Sequence, residues 1–280
     1  MILRGDFLSE TLRMTTNIQI LIPTYSNDSV PGSMETTVQV PFSMQDKGPY
    51  RLVFLLHGLH GGQGTWLDYT MLPYYAREYN AVFVMPEAGR SFYFNLEYGR
   101  KYHDFMSEEL PYLCRKVFNI SAKREDTAVM GCSMGGYGAL RLALAKPDLF
   151  GFCGAISSAC LYFKPMLDAL RADPGPYLKT GPEAEAILTD LRAVYGDGLE
   201  YRKDYDIVEL AKNFPAGMPK PKIYASCGTE DNLRKENVSF NEVMKNTGFD
   251  FTYEEWAGGH EWYFFNEALK RTLAFWHKTG

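Results

Sequence analysis

The chain has no marked excess of charge of either sign and no long apolar run. Its 29 Lys and Arg against 34 Asp and Glu leave a formal net charge of −5. The basic residues are scattered, so the cationic stripe a nucleic-acid binder needs is missing. No apolar run approaches the roughly 20 residues of a bilayer-spanning helix. The first ten residues carry one early Arg and are interrupted by Gly5 and Asp6 before a signal-peptide core could form. The expectation is a cytoplasmic protein whose partners include neither nucleic acid nor membrane. Cysteine is scarce and odd in number: Cys114, Cys132, Cys153, Cys160 and Cys227 are widely spaced and mostly embedded in apolar segments. They read as reduced core residues, not a disulfide framework. Histidine is equally scarce, and His57 and His60 lack a third ligand at suitable spacing, so no metal is expected. Internal repeats, low-complexity tracts and linker-like stretches are absent too. One domain over residues 1–280, large enough to bury a sizeable core, is the simplest reading.

What is there is an alternation of strand-like and helix-like segments. Phe7 to Pro23 alternates apolar and polar residues as antiparallel edge strands do, with Pro23 closing the second. Asn27 to Gly32 and Gln45 to Pro49 read as turn-rich connections. Arg51 to Leu56 is a compact apolar run that stops at His57-Gly58, as a central parallel strand would. The remaining expected strands are Ala81 to Met85, Asp126 to Met130, Phe152 to Ser157, Lys222 to Cys227 and Phe249 to Trp256. Between them lie expected helices at Trp66 to Glu78, Phe105 to Phe118, Tyr137 to Lys146, Asn237 to Thr247 and Trp262 to Lys278. From about Ser158 to Pro221 seven prolines interrupt short helical pieces such as Glu183 to Tyr195, and regularity is expected to be lost in a small cap inserted over the sheet. The fold class implied is α/β, a mostly parallel central sheet with helices on both faces.

The most informative stretch is Gly131-Cys-Ser-Met-Gly135, a G-x-S-x-G pattern between an apolar run and a helix-forming run. A sharp turn at Ser133 leaves no space for side chains two positions away on either side, and glycine stands at both. The turn would present the hydroxyl at a helix start, where N–H groups and the helix dipole favour an oxyanion. Acyl transfer through serine is the chemistry suggested. Cys132, one place before the apex, should point into the packing of the sheet and is not expected to be the nucleophile.

A serine hydroxyl needs a base, and the base an acid that fixes its tautomer. In α/β-hydrolases these follow in the order Ser, Asp or Glu, His. Of the two histidines after Ser133, His277 sits at the fraying end of the last helix, whereas His260 follows Gly258-Gly259 in a loop past a strand. His260 is the expected base. The acid should lie in Gly228-Thr-Glu-Asp231, where Asp231 is preferred and Glu230 competes; Asp250, Glu254, Asp197 and Asp206 fall at less suitable positions. Two backbone N–H groups should form an oxyanion hole, that of Met134 and one from the loop His57 to Gly62, with Leu59 the first candidate and His60 the next. His57 is expected to shape that loop by hydrogen bonding. Trp66, Phe92, Tyr93, Tyr162 and Trp262 are the aromatics available to an acyl or aryl pocket, and Trp66, Tyr93 and Trp262 are the ones assigned to it.

With these parts in place the chain resembles the esterase D-like group of α/β-hydrolases, which spans tributyrin-type, acetyl and feruloyl esterases, S-formylglutathione hydrolases and mycolyltransferase antigens. The resemblance rests on Leu56-His-Gly-Leu-His-Gly-Gly62 with Trp66 after it, Gly89-Arg-Ser-Phe-Tyr93, Glu108-Glu-Leu-Pro111, Gly131 to Leu140, Gly228 to Asp231, and Gly259-His-Glu-Trp262. It runs from about residue 7 to 277. It implies the α/β-hydrolase fold, with Ser133 as nucleophile, Asp231 in place of Glu230 as orienting acid, and His260 as base. The implied activity is hydrolysis of short-chain acyl or aryl esters (acetyl, butyryl or feruloyl) through an acyl-enzyme, on a small-molecule ester and without metal or organic cofactor. A thioester hydrolase of the S-formylglutathione type and an acyltransferase on the same fold are the alternatives. The cysteine-containing pattern of glutathione recognition is not found near the HG loop. A homo-oligomer is compatible with this reading.

Overall fold

The structure is a computed structural model and describes residues 1–23 and 48–279. Its frame is one eight-stranded sheet of β1 Ile2–Ser9, β2 Met14–Leu21, β3 Arg51–Leu56, β4 Ala81–Pro86, β5 Thr127–Cys132, β6 Phe152–Ile156, β7 Lys222–Gly228 and β8 Phe251–Trp256, in the spatial order β1-β2-β4-β3-β5-β6-β7-β8. β1 and β2 form an antiparallel hairpin and β2 pairs antiparallel with β4; every other pairing is parallel. The two-sided burial of the central strands explains their unbroken apolar runs, since β4, β5 and β6 are buried at every position. β1 alternates little and is mostly exposed, as an edge strand should be. The turn-rich stretch Asn27 to Gly32 lies outside the described residues, as does Gln45 to Lys47.

This topology places the chemistry. The chain leaves β3 toward β4 on one side and later adds β5, β6, β7 and β8 on the other, so the strand order reverses between β3 and β5. In open α/β sheets the carboxyl ends of the strands flanking such a reversal bound a crevice. The loops after β3 and β5 are the HG loop and the Ser133 turn.

Two helical expectations are corrected. Trp66 to Glu78 is not one helix: it divides into Thr65–Tyr69, Leu72–Tyr75 and a short 3-10 turn, Ala76–Glu78. Pro73, which offers no N–H and so cannot sit within a continuous helix without losing a hydrogen bond, stands in the first turn of the second piece, where no such bond is lost. The stretch 158–221 is not irregular either. Besides the expected helix Glu183–Tyr195 it holds Phe163–Ala172, Gly175–Leu178 and Ile207–Lys212. Pro165, Pro176 and Pro182 fall at or beside helix starts, where the lost N–H would have had no partner anyway. Leu167, Leu191, Val194 and Ile207 of this segment belong to the same buried cluster as Tyr137 and Leu140 of the helix Met134–Ala145. The expected helix Phe105 to Phe118 is present but begins earlier, at Tyr102, and passes through a wider-wound π segment, Phe105–Glu109.

Candidate active site

Ser133 joins β5 to the helix Met134–Ala145 with φ 56° and ψ −121°, a conformation that residues other than glycine rarely adopt. Its neighbours leave no choice about size. A Cβ on Gly135 would lie 2.7 Å from the His57 carbonyl oxygen, and one on Gly131 would collide with the Gly135 carbonyl. The strained turn is held from outside at both of its polar groups. Ser133 N–H donates to Ile156 O at 2.9 Å, and Ser133 O accepts from Ala159 N–H at 3.1 Å. Cys132 is buried beneath the turn, and burial pushes its thiol up to about 12. That makes it a neutral packing group.

Asp231 and His260 are brought together by the loops that follow β7 and β8. Imidazole Nδ1 lies 2.9 Å from Asp231 Oδ2, with the carboxylate side chain wholly buried and the ring 29 % exposed. An ionised carboxylate can only accept, so Nδ1 carries the proton and Nε2 is left as the basic atom. Asp231 Oδ1 accepts from Leu233 N–H at 2.8 Å. Burial works to raise the Asp231 pKa, but the His260 hydrogen bond and the Leu233 amide outweigh it and hold the carboxyl below its ordinary value. Glu230 serves a different purpose. Its carboxylate accepts from Gly258 N–H and from Thr229 Oγ1, tying the acid loop to the loop that carries His260. The two loops touch so closely that a Cβ on Gly228 would strike the Gly258 carbonyl. No hydrogen bond joins Ser133 Oγ to the His260 ring among the described residues. Contacts of this kind often tighten only when substrate is bound. His277 is remote from these groups and packs edge-on against Tyr79, with ring centroids 5.3 Å apart.

The HG loop approaches the nucleophile directly, since a Cβ on Gly58 would sit 3.4 Å from Ser133 Cβ. His57 is buried and shapes the loop. Its Nδ1 donates to Gly58 O at 2.8 Å and its Nε2 accepts from Ala88 N–H at 3.1 Å. Burial lowers its pKa, which suits a neutral ring with one donor and one acceptor. Neither Leu59 N–H nor Met134 N–H is engaged by a main-chain acceptor among the described residues. His60 is exposed and bonded elsewhere: Nε2 meets Glu183 Oε1 at 3.0 Å, and the same carboxylate takes Arg90 at 2.8 Å. This is how the helix Glu183–Tyr195 reaches the HG loop.

The pocket assignment needs correction at two of three positions. Trp66 and Tyr93 have no accessible surface. A side chain with no surface open to solvent lines no open pocket; both brace the loops instead, Trp66 Nε1 donating to Leu56 O at 3.0 Å and Tyr93 Oη to His57 O at 2.9 Å. Trp262 is partly exposed, meeting Trp66 edge-on at 5.5 Å and stacking on Tyr69 at 5.2 Å. A surface depression of about 480 Å³ bordered by Pro111, Arg115, Lys116 and Lys146 lies at the opposite end of the Ser133 helix, roughly 20 Å along it by the rise per residue, and contains none of these groups. Among the described residues no cluster of three His, Cys, Asp or Glu could hold a metal ion, and no helix is long and apolar enough to cross a membrane. All five cysteines are free.

Residues 27–276 match the model of a family described as putative esterase. An acetyl esterase of Caldicellulosiruptor saccharolyticus is 31% identical over 282 residues, covering 100% of this chain and 99% of the relative. Among solved structures, the substrate-bound fluorophosphonate-binding serine hydrolase FphF of Staphylococcus aureus superposes with a TM-score of 0.78 at 25% identity, covering 99% of this chain and 98% of that one. The S-formylglutathione hydrolase FrmB of the same organism, as apoenzyme, gives 0.75 at 25% identity with the same coverage.

Proposed function

The chain belongs to the putative esterase family and is a serine carboxylic ester hydrolase, and from that premise we propose that it cleaves short-chain acyl esters through an acyl-enzyme on Ser133. The observation that carries the reading is the 2.9 Å bond from His260 to the buried Asp231, in loops at the same edge of the sheet as the Ser133 turn. His260 Nε2 takes the Ser133 proton as Oγ bonds to the acyl carbon. The carbonyl oxygen gains negative charge and is met by the N–H groups of Leu59 and Met134. The C–O bond to the alcohol then breaks, and the alcohol departs with the proton held by His260. Water next gives a proton to the same ring and its oxygen to the acyl carbon, which releases the acid and restores the serine.

Acetyl and butyryl groups are the proposed acyl range, the acetyl group supported by the name of the acetyl esterase relative. A small-molecule ester is the proposed partner. Likeness to FrmB favours a second reading, hydrolysis of an acyl thioester by the same serine. The test ranks acetyl, butyryl and feruloyl esters and S-formylglutathione by kcat/KM. Acetyl and butyryl esters should exceed the thioester by about tenfold or more. A preference for the thioester would replace the first reading by the second.

A further inference from the structure

Asn237 is 3 % exposed and lies in the first turns of the helix Arg234–Met244. Helical position alone does not call for asparagine, whose side chain competes with the helix backbone for hydrogen bonds. Here the amide is used at both ends. Nδ2 donates to Ser158 O at 2.9 Å and to Leu233 O at 3.0 Å, and Oδ1 accepts from Ser158 N–H at 3.2 Å.

Each of these neighbours belongs to one half of the catalytic arrangement. Leu233 gives its N–H to Asp231 Oδ1. Ser158 lies in the crossover leaving β6, whose Ile156 and Ala159 hold Ser133 at its N–H and its carbonyl. That crossover does not owe its shape to backbone preference, because Ser157 within it has φ 43°. A strained segment keeps its geometry only where its surroundings over-determine it, and the Asn237 amide, bonded to both main-chain groups of the next residue, is such a constraint.

We propose that Asn237 is a positioning residue that locks the crossover holding Ser133 to the loop bearing Asp231, and so sets the span that His260 must bridge. The proposal rests on the triad reading above. Asn237 touches neither substrate nor the reacting atoms. It acts through two short relays, one to each end of the triad.

The test compares Asn237→Leu and Asn237→Asp with the native protein and with Ser133→Ala on p-nitrophenyl butyrate. Leu preserves volume and removes every bond; Asp preserves shape and the acceptor but removes the donors, and it answers the same question if the Leu variant does not fold. The rate is expressed per active site, counted by end-point fluorophosphonate labelling, so a smaller folded fraction does not register as slower chemistry. Displacement of a catalytic group by about 1 Å can cost about 100-fold. Per-site kcat should fall about 10- to 100-fold with KM within about twofold, and the rate of labelling at Ser133 should fall in parallel. Per-site kcat within about twofold of native in a folded variant, with only a lowered Tm, would make Asn237 a packing residue and overturn the inference. The Ser133→Ala control separates the two ideas. If it keeps activity, the triad reading fails and this inference with it; if it is inactive while the Asn237 variants turn over normally, the positioning role alone fails.

Discussion

Tyr93 donates its hydroxyl to the main-chain carbonyl of His57 at 2.9 Å, with both residues almost wholly buried. The bond holds the HG loop against the segment Ser91–Phe94, where Phe92 and Tyr93 themselves take φ 50° and 60°. Burial raises the Tyr93 pKa well above its ordinary value, so the phenol keeps the proton it donates. Tyr93→Phe leaves the His57 carbonyl unpaired in the interior, at a cost of about 1–3 kcal/mol. The expected outcome is a Tm lower by a few degrees and a kcat reduced about tenfold as Leu59 N–H, the proposed oxyanion donor, is displaced. Calorimetry and steady-state kinetics on the same preparation check both.

Gly135→Ala tests the elbow by steric means alone. The added methyl meets the carbonyls of Leu56 and His57, which are main-chain atoms that cannot rotate away. Either the turn opens or the HG loop retreats, and each disrupts the proposed oxyanion site. Activity should fall at least about 100-fold, with a clear loss of thermal stability. A variant with native kcat would show that the turn tolerates a side chain at this position.

The two neighbouring carboxylates should separate cleanly. Asp231→Asn no longer fixes the proton on His260 Nδ1 and is expected to lower kcat by about four orders of magnitude. Glu230→Gln weakens only the tie to Gly258 and should cost about tenfold or less. Equal losses at both positions would contradict the assignment of the acid.

His103 makes stability depend on pH away from the site. Its Nδ1 accepts from Arg141, and burial, followed by the charges of Arg141 and Lys146, pushes its pKa from 6.5 to about 3. The folded protein refuses a proton that the unfolded chain accepts, so the contribution is complete above about pH 6.5 and is lost progressively as pH falls toward 3. At pH 5 the loss amounts to about 2 kcal/mol. His103→Gln should narrow the gap between urea midpoints at pH 7 and pH 5 by that order. An unchanged gap would show that His103 is not the group responsible.

The candidate triad positions could be singled out in the sequence because each has a local steric or positional signature. Glycines two places either side of Ser133, a carboxylate after a strand, and a histidine after a glycine pair can all be read from short windows. The parallel core was legible for the same reason, since strands buried on both faces leave unbroken apolar runs such as Leu52 to Leu56. Prolines misled in both directions: Pro73 fell inside a stretch that periodicity had run together as one helix, while Pro165 and Pro176 stand in the first turns of helices where interruption was expected; the piece Glu183 to Tyr195, which follows Pro182, was legible. Trp66 and Tyr93 were misplaced because an aromatic near a site has the same sequence appearance whether it faces substrate or backs a loop. Asn237 and the crossover Ile156–Ala159 carried no signal, because their significance lies in hydrogen bonds between segments 79 residues apart.

The most direct measurement is peptide mapping by mass spectrometry after reaction with a fluorophosphonate. A nucleophilic Ser133 predicts one adduct per chain, on the peptide containing that residue, formed in step with loss of esterase activity and absent from Ser133→Ala. Complete inactivation with the adduct on a different residue, or persistent ester hydrolysis by a fully labelled Ser133, would contradict it.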